Sequence, residues 1–441
     1  MKIPVRFRVH NLLSQEESRD VLFPVDEEFH IIYGPNGVGK TKWLEAVNAL
    51  LCADLLKLSD LPLTGVSIDY SDGTTLAYRT SGDGMMFVLE VVEGDEVLFR
   101  SEQSREDLFD GRVIDVAGTE WVGVGSGYWR DPTDGETISD QEMRQRYGPL
   151  PDPEVRAPEG LGDIQELVRP MFIRTQRLLE QPHMQRTHRL GQAYPVRRRG
   201  RPSRNAVERY AEDIRSHLRE ALARNSRSTA QLDRTFPNRL LDNATDVEIS
   251  EEEIRRRYET QSGKRERLAR LSLIGGEPEI ALPSQELIEW QRRVLRVYLE
   301  DTEKKLNTFD EVLERVELLE DVINRRFLGK AISVTADDGL KVTTDSGHEV
   351  ELAELSSGEQ HELIMFFDML FNVQPGSLVL IDEPEISLHV GWQREFLNDM
   401  KRVSQLSSAR VLIATHSPQI IGNWRSRSTS LAPDSEWSES V

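Results

Sequence analysis

Residues Gly34-Pro35-Asn36-Gly37-Val38-Gly39-Lys40-Thr41 lie between an apolar run, His30-Ile31-Ile32-Tyr33, and a helical pattern from Lys42 to Leu58. A strand, a glycine-rich loop of this spacing and a helix, in that order, leave few folds open. The glycines let successive backbone N–H groups turn inward on phosphates, Lys40 reaches the terminal phosphates, and the Thr41 hydroxyl is placed to ligate Mg²⁺. The helix that follows adds the positive end of its dipole. These residues imply a chain that binds ATP or GTP. A chance Gly-Lys-Thr in a glycine-rich turn is the alternative, and the agreement of strand, loop and helix argues against it.

Composition frames that reading. The 441 residues, 38% hydrophobic and 30% charged, suit a large globular chain of two or three structural units. No stretch approaches the roughly 18 uninterrupted apolar residues of a membrane-spanning helix, and the N-terminus lacks the apolar core of a signal peptide. The single cysteine, Cys52, sits among Leu50, Leu51 and Ala53 and reads as a small buried apolar residue. With no cysteine pair and no export signal, the expected compartment is the cytoplasm. A net charge of −21 argues against coating nucleic acid with the whole surface. Acidic residues are nevertheless missing from His183 to Arg204, where Arg186, Arg189, Arg197, Arg198, Arg199, Arg201 and Arg204 cluster. That segregation points to a polyanion such as DNA, or else to a solvated loop that balances acidic neighbours.

The first third reads as β-rich. Val5 to Val9 and Val21 to Val25 are expected strands, and hairpins are expected over Val66 to Arg79 and Met85 to Phe99, turning at Asp72-Gly73 and Gly94-Asp95. Gly123, Gly125 and Gly127 lack the spacing of a cofactor loop and read as a turn, while residues 131 to 162 read as a linker. A short strand-like run, Met171 to Thr175, follows. From Ser203 to Phe327 the pattern is helical: Leu287, Val294, Tyr298, Leu306, Phe309, Leu313, Val316, Leu319, Ile323 and Phe327 recur mostly three or four apart. One stripe of this kind predicts half of an antiparallel helical pair, with its other half from residues 203 to 272, as a short arm or insert. Strand signals return at Ala331 to Thr335 and Leu340 to Thr343. Two fully apolar runs, Leu378 to Ile381 and Val411 to Ala414, flank a helix from Val390 to Val403. Continuous apolar runs of that length predict central parallel strands, so the two halves of one sheet are split by the helical insert.

The strand at Leu378 ends in Asp382-Glu383-Pro384. Two adjacent carboxylates there fit the second half of a nucleotide hydrolase site, one for the metal and one to polarise water. The plainer alternative is a helix cap. Leu355-Ser356-Ser357-Gly358-Glu359-Gln360 precedes a helical run and contains a capping box; its small residues also allow a close approach to an anion at a positive helix end.

Taken in order, Gly-Pro-Asn-Gly-Val-Gly-Lys-Thr, Leu-Ser-Ser-Gly-Glu-Gln, Leu-Val-Leu-Ile-Asp-Glu-Pro-Glu and Ala-Thr-His-Ser-Pro resemble the ABC-type ATPase head of the SMC, RecF and OLD-like group. Within it, the bacterial "AAA family ATPase" proteins that include the PtuA and AriA subunits of phage-defence systems are the most similar. The resemblance covers residues 1 to about 180 and 331 to about 425. It implies an α/β P-loop fold of ABC-head type, a mixed or parallel sheet with helices on both faces and a β-rich lobe, split by a helical or short coiled-coil insertion. The implied domains are a first ATPase lobe (1–180), a basic loop and helical insertion (181–330), a second lobe (331–425) and a polar tail (426–441).

The resemblance also implies roles. Asn36, Gly37, Val38, Gly39 and Lys40 wrap the β- and γ-phosphates of ATP, and Thr41 and Asp382 hold Mg²⁺. Glu383 is the general base, Gln176 reaches the metal and the lytic water, and His416 contacts the γ-phosphate. Ser357, Gly358 and Glu359 act on the nucleotide of a second subunit, which implies a homodimer or higher even oligomer. OLD-like nucleases continue into a TOPRIM domain, and the polar stretch Gln419 to Val441 is not expected to provide one. The leading functional expectation is therefore an ATP-hydrolysing sensor or regulatory subunit in phage defence, paired with a separate effector such as a nuclease. Alternatives are a RecF- or SMC-like ATPase in DNA repair or chromosome upkeep, and a slow nucleotide-locked scaffold that sequesters a toxin.

Overall fold

The computed structural model describes residues 2–14, 18–81, 84–104, 107–108, 112–116, 119–124, 128–147, 154–155, 170–173, 206–241, 249–276 and 281–432. The chain forms two compact units: Met1–Thr175 with Val373–Val441, and Gln176–Asn372.

At the centre of the first unit is a parallel sheet in the order Pro170–Ile173, Leu378–Asp382, Arg410–Thr415, Phe29–Tyr33 and Ser428–Ser430. Residues from both sides of the insert thus share one sheet, as the apolar runs predict. These strands are apolar throughout because both faces are covered. On one face the helix Lys40–Leu51 buries Trp43, Leu44, Val47 and Leu50 in a cluster with Leu378, Leu380, Leu412 and Ala414. The same cluster takes in Phe7, Ile68, Tyr78 and Leu89 of a second sheet, which is antiparallel. That sheet runs Arg19–Leu22, Pro4–His10, Gly65–Tyr70, Thr74–Thr80, Met86–Glu93, Glu96–Ser104, with hairpin turns at Asp72-Gly73 and Gly94-Asp95 where both glycines have positive φ. One helix therefore fills the space between two sheets, and burying each of its large apolar side chains contributes about 1.5–3 kcal/mol. On the other side of the parallel sheet lies the helix Val390–Ser407, with Phe396, Leu397, Met400 and Val403 fully buried.

Several expectations are corrected. The pattern from Lys42 to Leu58 is two helices, Lys40–Leu51 and Leu55–Asp60. Ala53 adopts φ 51° and Asp54 accepts the Lys57 N–H at 3.0 Å, so the chain stops and restarts with a new cap. Cys52 lies at that break and is exposed rather than buried. The stretch read as a linker, 131 to 162, contains the strand Thr137–Ser139 and the helix Asp140–Tyr147, and the strand Tyr128–Arg130 ends just before it. With Arg112–Val116, Thr119–Gly123 and Glu154–Val155 they make a five-stranded sheet whose own core is Ile114, Trp121, Trp129, Ile138 and Met143. Gly123 ends one of these strands; Gly125 and Gly127 lie outside the described residues.

In the second unit the insert contributes the helices Ala206–Leu241, Glu251–Arg270, Glu289–Asn307 and Asp310–Asn324, and the helix Ser357–Phe367 follows them. Glu289–Asn307 packs on both of the first two, so the expected single pair is a bundle. The long apolar stripe is interrupted between Asn307 and Asp310, and Tyr298 is exposed. Polar ties set the register: Asn225 Nδ2 donates to the Lys305 carbonyl at 2.7 Å, Gln261 Nε2 donates to the Leu299 carbonyl at 2.8 Å, and Arg239 pairs with Asp301. Strands Lys330–Thr335, Gly339–Thr344 and Glu349–Val350 form a separate antiparallel sheet here. The helices Ala206–Leu241 and Asp310–Asn324 pack on it. The stretch expected as a second lobe, 331–425, is therefore divided at Asn372, because its first strands pair with each other and pack on helices of the insert.

Arg410, at the start of the strand that leads to His416, ties the parallel sheet to the six-stranded antiparallel sheet. It donates to the carbonyls of Pro4 (2.5 Å), Phe23 (2.9 Å), Pro24 (2.6 Å) and Glu27 (3.3 Å), and its guanidinium lies 3.5 Å from the Phe23 ring centre. Burial pushes it down to about 10, opposed by the charges of Glu27 and Asp26, and it stays protonated at neutral pH. Arg410→Met keeps the stem and removes these donors. Urea unfolding should show the variant about 2–4 kcal/mol less stable; equal midpoints would mean that this clamp contributes nothing.

Candidate functional site

The phosphate-type loop leaves the Phe29–Tyr33 strand at its C-terminal end and enters the Lys40–Leu51 helix. Gly37 and Gly39 have φ 86° and 98°, values that side-chain-bearing residues adopt only with strain. A Cβ on Gly39 would also meet Leu12 and Leu13 at 3.1 Å. Gly39 caps the helix with no side-chain hydrogen bond, which leaves the first-turn N–H groups facing the loop. Asn36 and Gly37 are exposed at its outer rim, Val38 is buried, and Lys40 is only 4% exposed. The Lys40 Nζ donates to the carbonyls of Gly34 (2.9 Å) and Pro35 (3.1 Å). Burial pushes its ammonium below the usual range, opposed by the charges of Glu383, Glu385 and Asp382.

Those carboxylates stand at the end of the Leu378–Asp382 strand. Thr41 Oγ1 donates to Asp382 Oδ2 at 2.9 Å, across 341 residues of sequence. A hydroxyl and a carboxylate oxygen at this distance, beside backbone donors and a lysine, are the hard oxygen set that suits Mg²⁺. Asp382 is 5% exposed; burial pushes its carboxyl up to about 6, with Glu383 and Glu385 adding to the shift and Thr41 and Lys40 opposing it. Glu383 sits at φ 45°, ψ 57°, a left-handed conformation that costs about 1–3 kcal/mol and is met at functional sites. The turn is fixed by the Glu383 N–H donating to the Ala414 carbonyl at 2.9 Å.

The neighbouring strand Arg410–Thr415 lies between the strands that carry the loop and the carboxylates, so His416, one residue past its end, stands at the same edge as both. His416 Nδ1 is 3.7 Å from Glu383 Oε1 and 2.9 Å from Glu385 Oε1. The loop lysine, Thr41, Asp382, Glu383 and His416 are thus gathered at one end of one sheet. Gln176 and the arginines Arg197, Arg198, Arg199, Arg201 and Arg204 lie outside the described residues. No helix among the described residues is long and apolar enough to cross a membrane.

Ser357, Gly358 and Glu359 belong to the second unit. Ser356, not Ser357, caps the helix Ser357–Phe367: it forms a reciprocal box with Glu359, whose Oε2 accepts from the Ser356 N–H at 2.8 Å. Lys330 bridges the same carboxylate at 2.8 Å. Burial works against ionisation of Glu359, but Lys330 and Ser356 together hold it below the usual carboxylate range. Its side chain is therefore engaged locally, whereas Ser357 is exposed and Gly358 half-buried. Gln360 Nε2 braces the approach to the cap by donating to the carbonyls of Leu355 (2.9 Å) and Ala353 (3.1 Å).

Glu385 is the site residue that sequence reasoning missed. The second glutamate of Asp382-Glu383-Pro384-Glu385 was the available signal, but only the short helical turn Pro384–Ser387 shows that its carboxylate points back at His416.

The raised Asp382 value has a consequence for stability. Because the folded group binds its proton more tightly than the unfolded one, its ionisation destabilises the fold, and the cost develops as pH rises through the window from 3.8 to about 6. Asp382→Asn keeps the acceptor for Thr41. Its stability relative to the parent, without nucleotide or metal, should grow with pH over that window to at most about 3 kcal/mol, at roughly 1.4 kcal/mol per pKa unit. A difference that does not change with pH would contradict this.

Among known proteins, the family described as "AAA domain, putative AbiEii toxin, Type IV TA system" matches residues 172–422. The match includes Asp382, Glu383 and His416 and begins after the phosphate-type loop. The SMC head domain from Thermotoga maritima is 10% identical, with a TM-score of 0.32 over 95% of this chain and 91% of that chain. The Smc head domain from Pyrococcus furiosus, solved with an extended coiled coil and bound to the C-terminal domain of ScpA, is 13% identical, with a TM-score of 0.36 over 96% and 91%. Matched over more than half of its length and built on a P-loop sheet, the chain belongs to this AAA-domain family of P-loop ATPases.

Proposed function

We propose that the first unit binds MgATP and hydrolyses it. The observation that carries this reading is the 2.9 Å contact between Thr41 and Asp382, with Glu383 held in a left-handed turn one residue further on. In this reading Asn36 to Lys40 wrap the β- and γ-phosphates, with Lys40 exchanging its loop carbonyls for phosphate oxygens. Thr41 and Asp382 hold Mg²⁺, which when bound offsets phosphate charge. Glu383 accepts a proton from the attacking water, and His416 lies beside it. Gln176 is assigned to the metal and water on resemblance alone.

The exposed Ser357 and the half-buried Gly358 at a helix start are suited to the γ-phosphate held by a second copy, with Glu359 fixing the cap. Two copies then enclose two nucleotides. The family description, a toxin of a type IV toxin–antitoxin system, favours a role in cellular conflict, so we place the protein as a sensor or regulatory subunit acting with a separate effector in phage defence. A RecF-like role on DNA rests on the arginine cluster from Arg197 to Arg204. In that case, DNA binding should fall steeply with salt and flatten when Arg197, Arg198 and Arg199 are neutralised.

Glu383→Gln should bind ATP as the parent does and lose turnover by about 10²- to 10⁴-fold, measured as phosphate release; equal turnover would remove Glu383 from the base role. Lys40→Ala should lose nucleotide binding itself, seen by calorimetry. If two copies complete the site, turnover per protomer should rise with protein concentration and vanish in Ser357→Arg while ATP binding persists. A rate per protomer independent of concentration, with an active Ser357→Arg, would exclude the paired site.

A further inference from the structure

Glu385 is 7% exposed and accepts two hydrogen bonds from the end of the neighbouring strand. Its Oε1 accepts from Thr415 Oγ1 at 2.7 Å and from the His416 backbone N–H at 2.7 Å, and it lies 2.9 Å from His416 Nδ1. A second carboxylate oxygen, Glu383 Oε1, lies 3.7 Å from the same ring nitrogen. A carboxylate oxygen can only accept, so a hydrogen bond formed at the 2.9 Å contact takes its hydrogen from Nδ1. In the neutral ring Nε2 is then an acceptor. Thr415, fully buried and one residue before His416, is held by the same oxygen, so one carboxylate fixes the backbone, the neighbouring side chain and the ring orientation together.

We propose that Glu385 is a positioning residue that holds His416 in its Nδ1–H tautomer. Nε2 is thereby presented to accept a hydrogen bond from the attacking water rather than to donate one to the γ-phosphate. Glu385 itself touches neither nucleotide nor water. The inference rests on the hydrolytic reading above and makes it more specific: the histidine assists the water, and its tautomer is set three residues beyond the metal-binding aspartate.

Two measurements test it, and only one needs turnover. Imidazole ¹⁵N–¹H spectra of the full chain labelled at histidine should show His416 protonated at Nδ1, with Nε2 unprotonated at high pH. His416→Ala assigns the signal. In Glu385→Met, which removes the acceptor at similar volume, that preference should disappear; a thermal melt confirms folding, and Glu385→Gln replaces it if the Met variant does not fold. An unchanged tautomer in a folded variant that lacks the acceptor, or an Nε2–H form in the parent, overturns the proposal whether or not the protein hydrolyses ATP.

The second measurement is a kinetic cycle. Glu385→Gln should lower kcat about tenfold to a hundredfold with KM for ATP little changed, because it alters orientation and not nucleotide binding. Combined with His416→Ala it should cost no more than His416→Ala alone, since a residue that acts through another has nothing to add once that other is gone. Losses that multiply would show that Glu385 acts on its own and overturn the proposal. A parent with no turnover would defeat the hydrolytic reading and leave the tautomer to be decided by the spectra.

Discussion

Parallel pairing of three strands, Phe29–Tyr33, Arg410–Thr415 and Leu378–Asp382, fixes where every reactive group of the first unit stands. In a parallel sheet all C-terminal ends lie on the same edge, so the glycine loop, His416 and the Asp382-Glu383 pair must meet although hundreds of residues separate them in sequence. The register Asp382↔Ala414 and Thr415↔Tyr33 is set by residues buried on both faces. A slip of one position would turn each strand over and place charged ends in the core. The hydrogen bond from Thr41 to Asp382 follows from that register.

The same edge concentrates electrostatic cost. Lys40 and Asp382 are nearly inaccessible, three carboxylates crowd one lysine, and Glu383 is held in an unfavourable backbone region. Each of these burdens opposes folding of the isolated protein, and a polyphosphate with its cation would relieve the electrostatic ones: the lysine would gain anions, the carboxylate a cation, and the loop N–H groups acceptors. The Arg410 clamp, at the opposite end of its strand from His416, and the apolar cluster that includes Trp43 supply stability that the charged groups do not.

Much of this was legible in the sequence because the chemistry is local there. The glycine positions, Lys40 and Thr41, and the Asp382-Glu383 pair after an apolar run each constrain their own backbone, and the structure brings them together. What was not legible depends on tertiary packing. Residues 131 to 162 read as a linker because their strands are short and turn-rich, yet Ile138 and Met143 join Trp121 and Trp129 in a small core. The apolar stripe of the insert read as one helix pair because periodicity gives a buried face but not how many neighbours cover it. Glu385 could not be distinguished from a capping residue until the turn at Pro384 was seen to direct it to His416. The capping box at Ser356 was foreseen, but not that Lys330 would occupy the same glutamate.

The central claim is that the loop and the carboxylate strand hold one magnesium triphosphate between them. It is tested most directly by a crystal structure of Glu383→Gln grown with ATP and Mg²⁺. The account predicts Lys40 Nζ withdrawn from the Gly34 and Pro35 carbonyls onto phosphate oxygens, with the metal at about 2.1 Å from Thr41 Oγ1 and Asp382 directly or through water in its shell. A triphosphate bound elsewhere, or Lys40 still bonded to its own loop with nucleotide present, would contradict it.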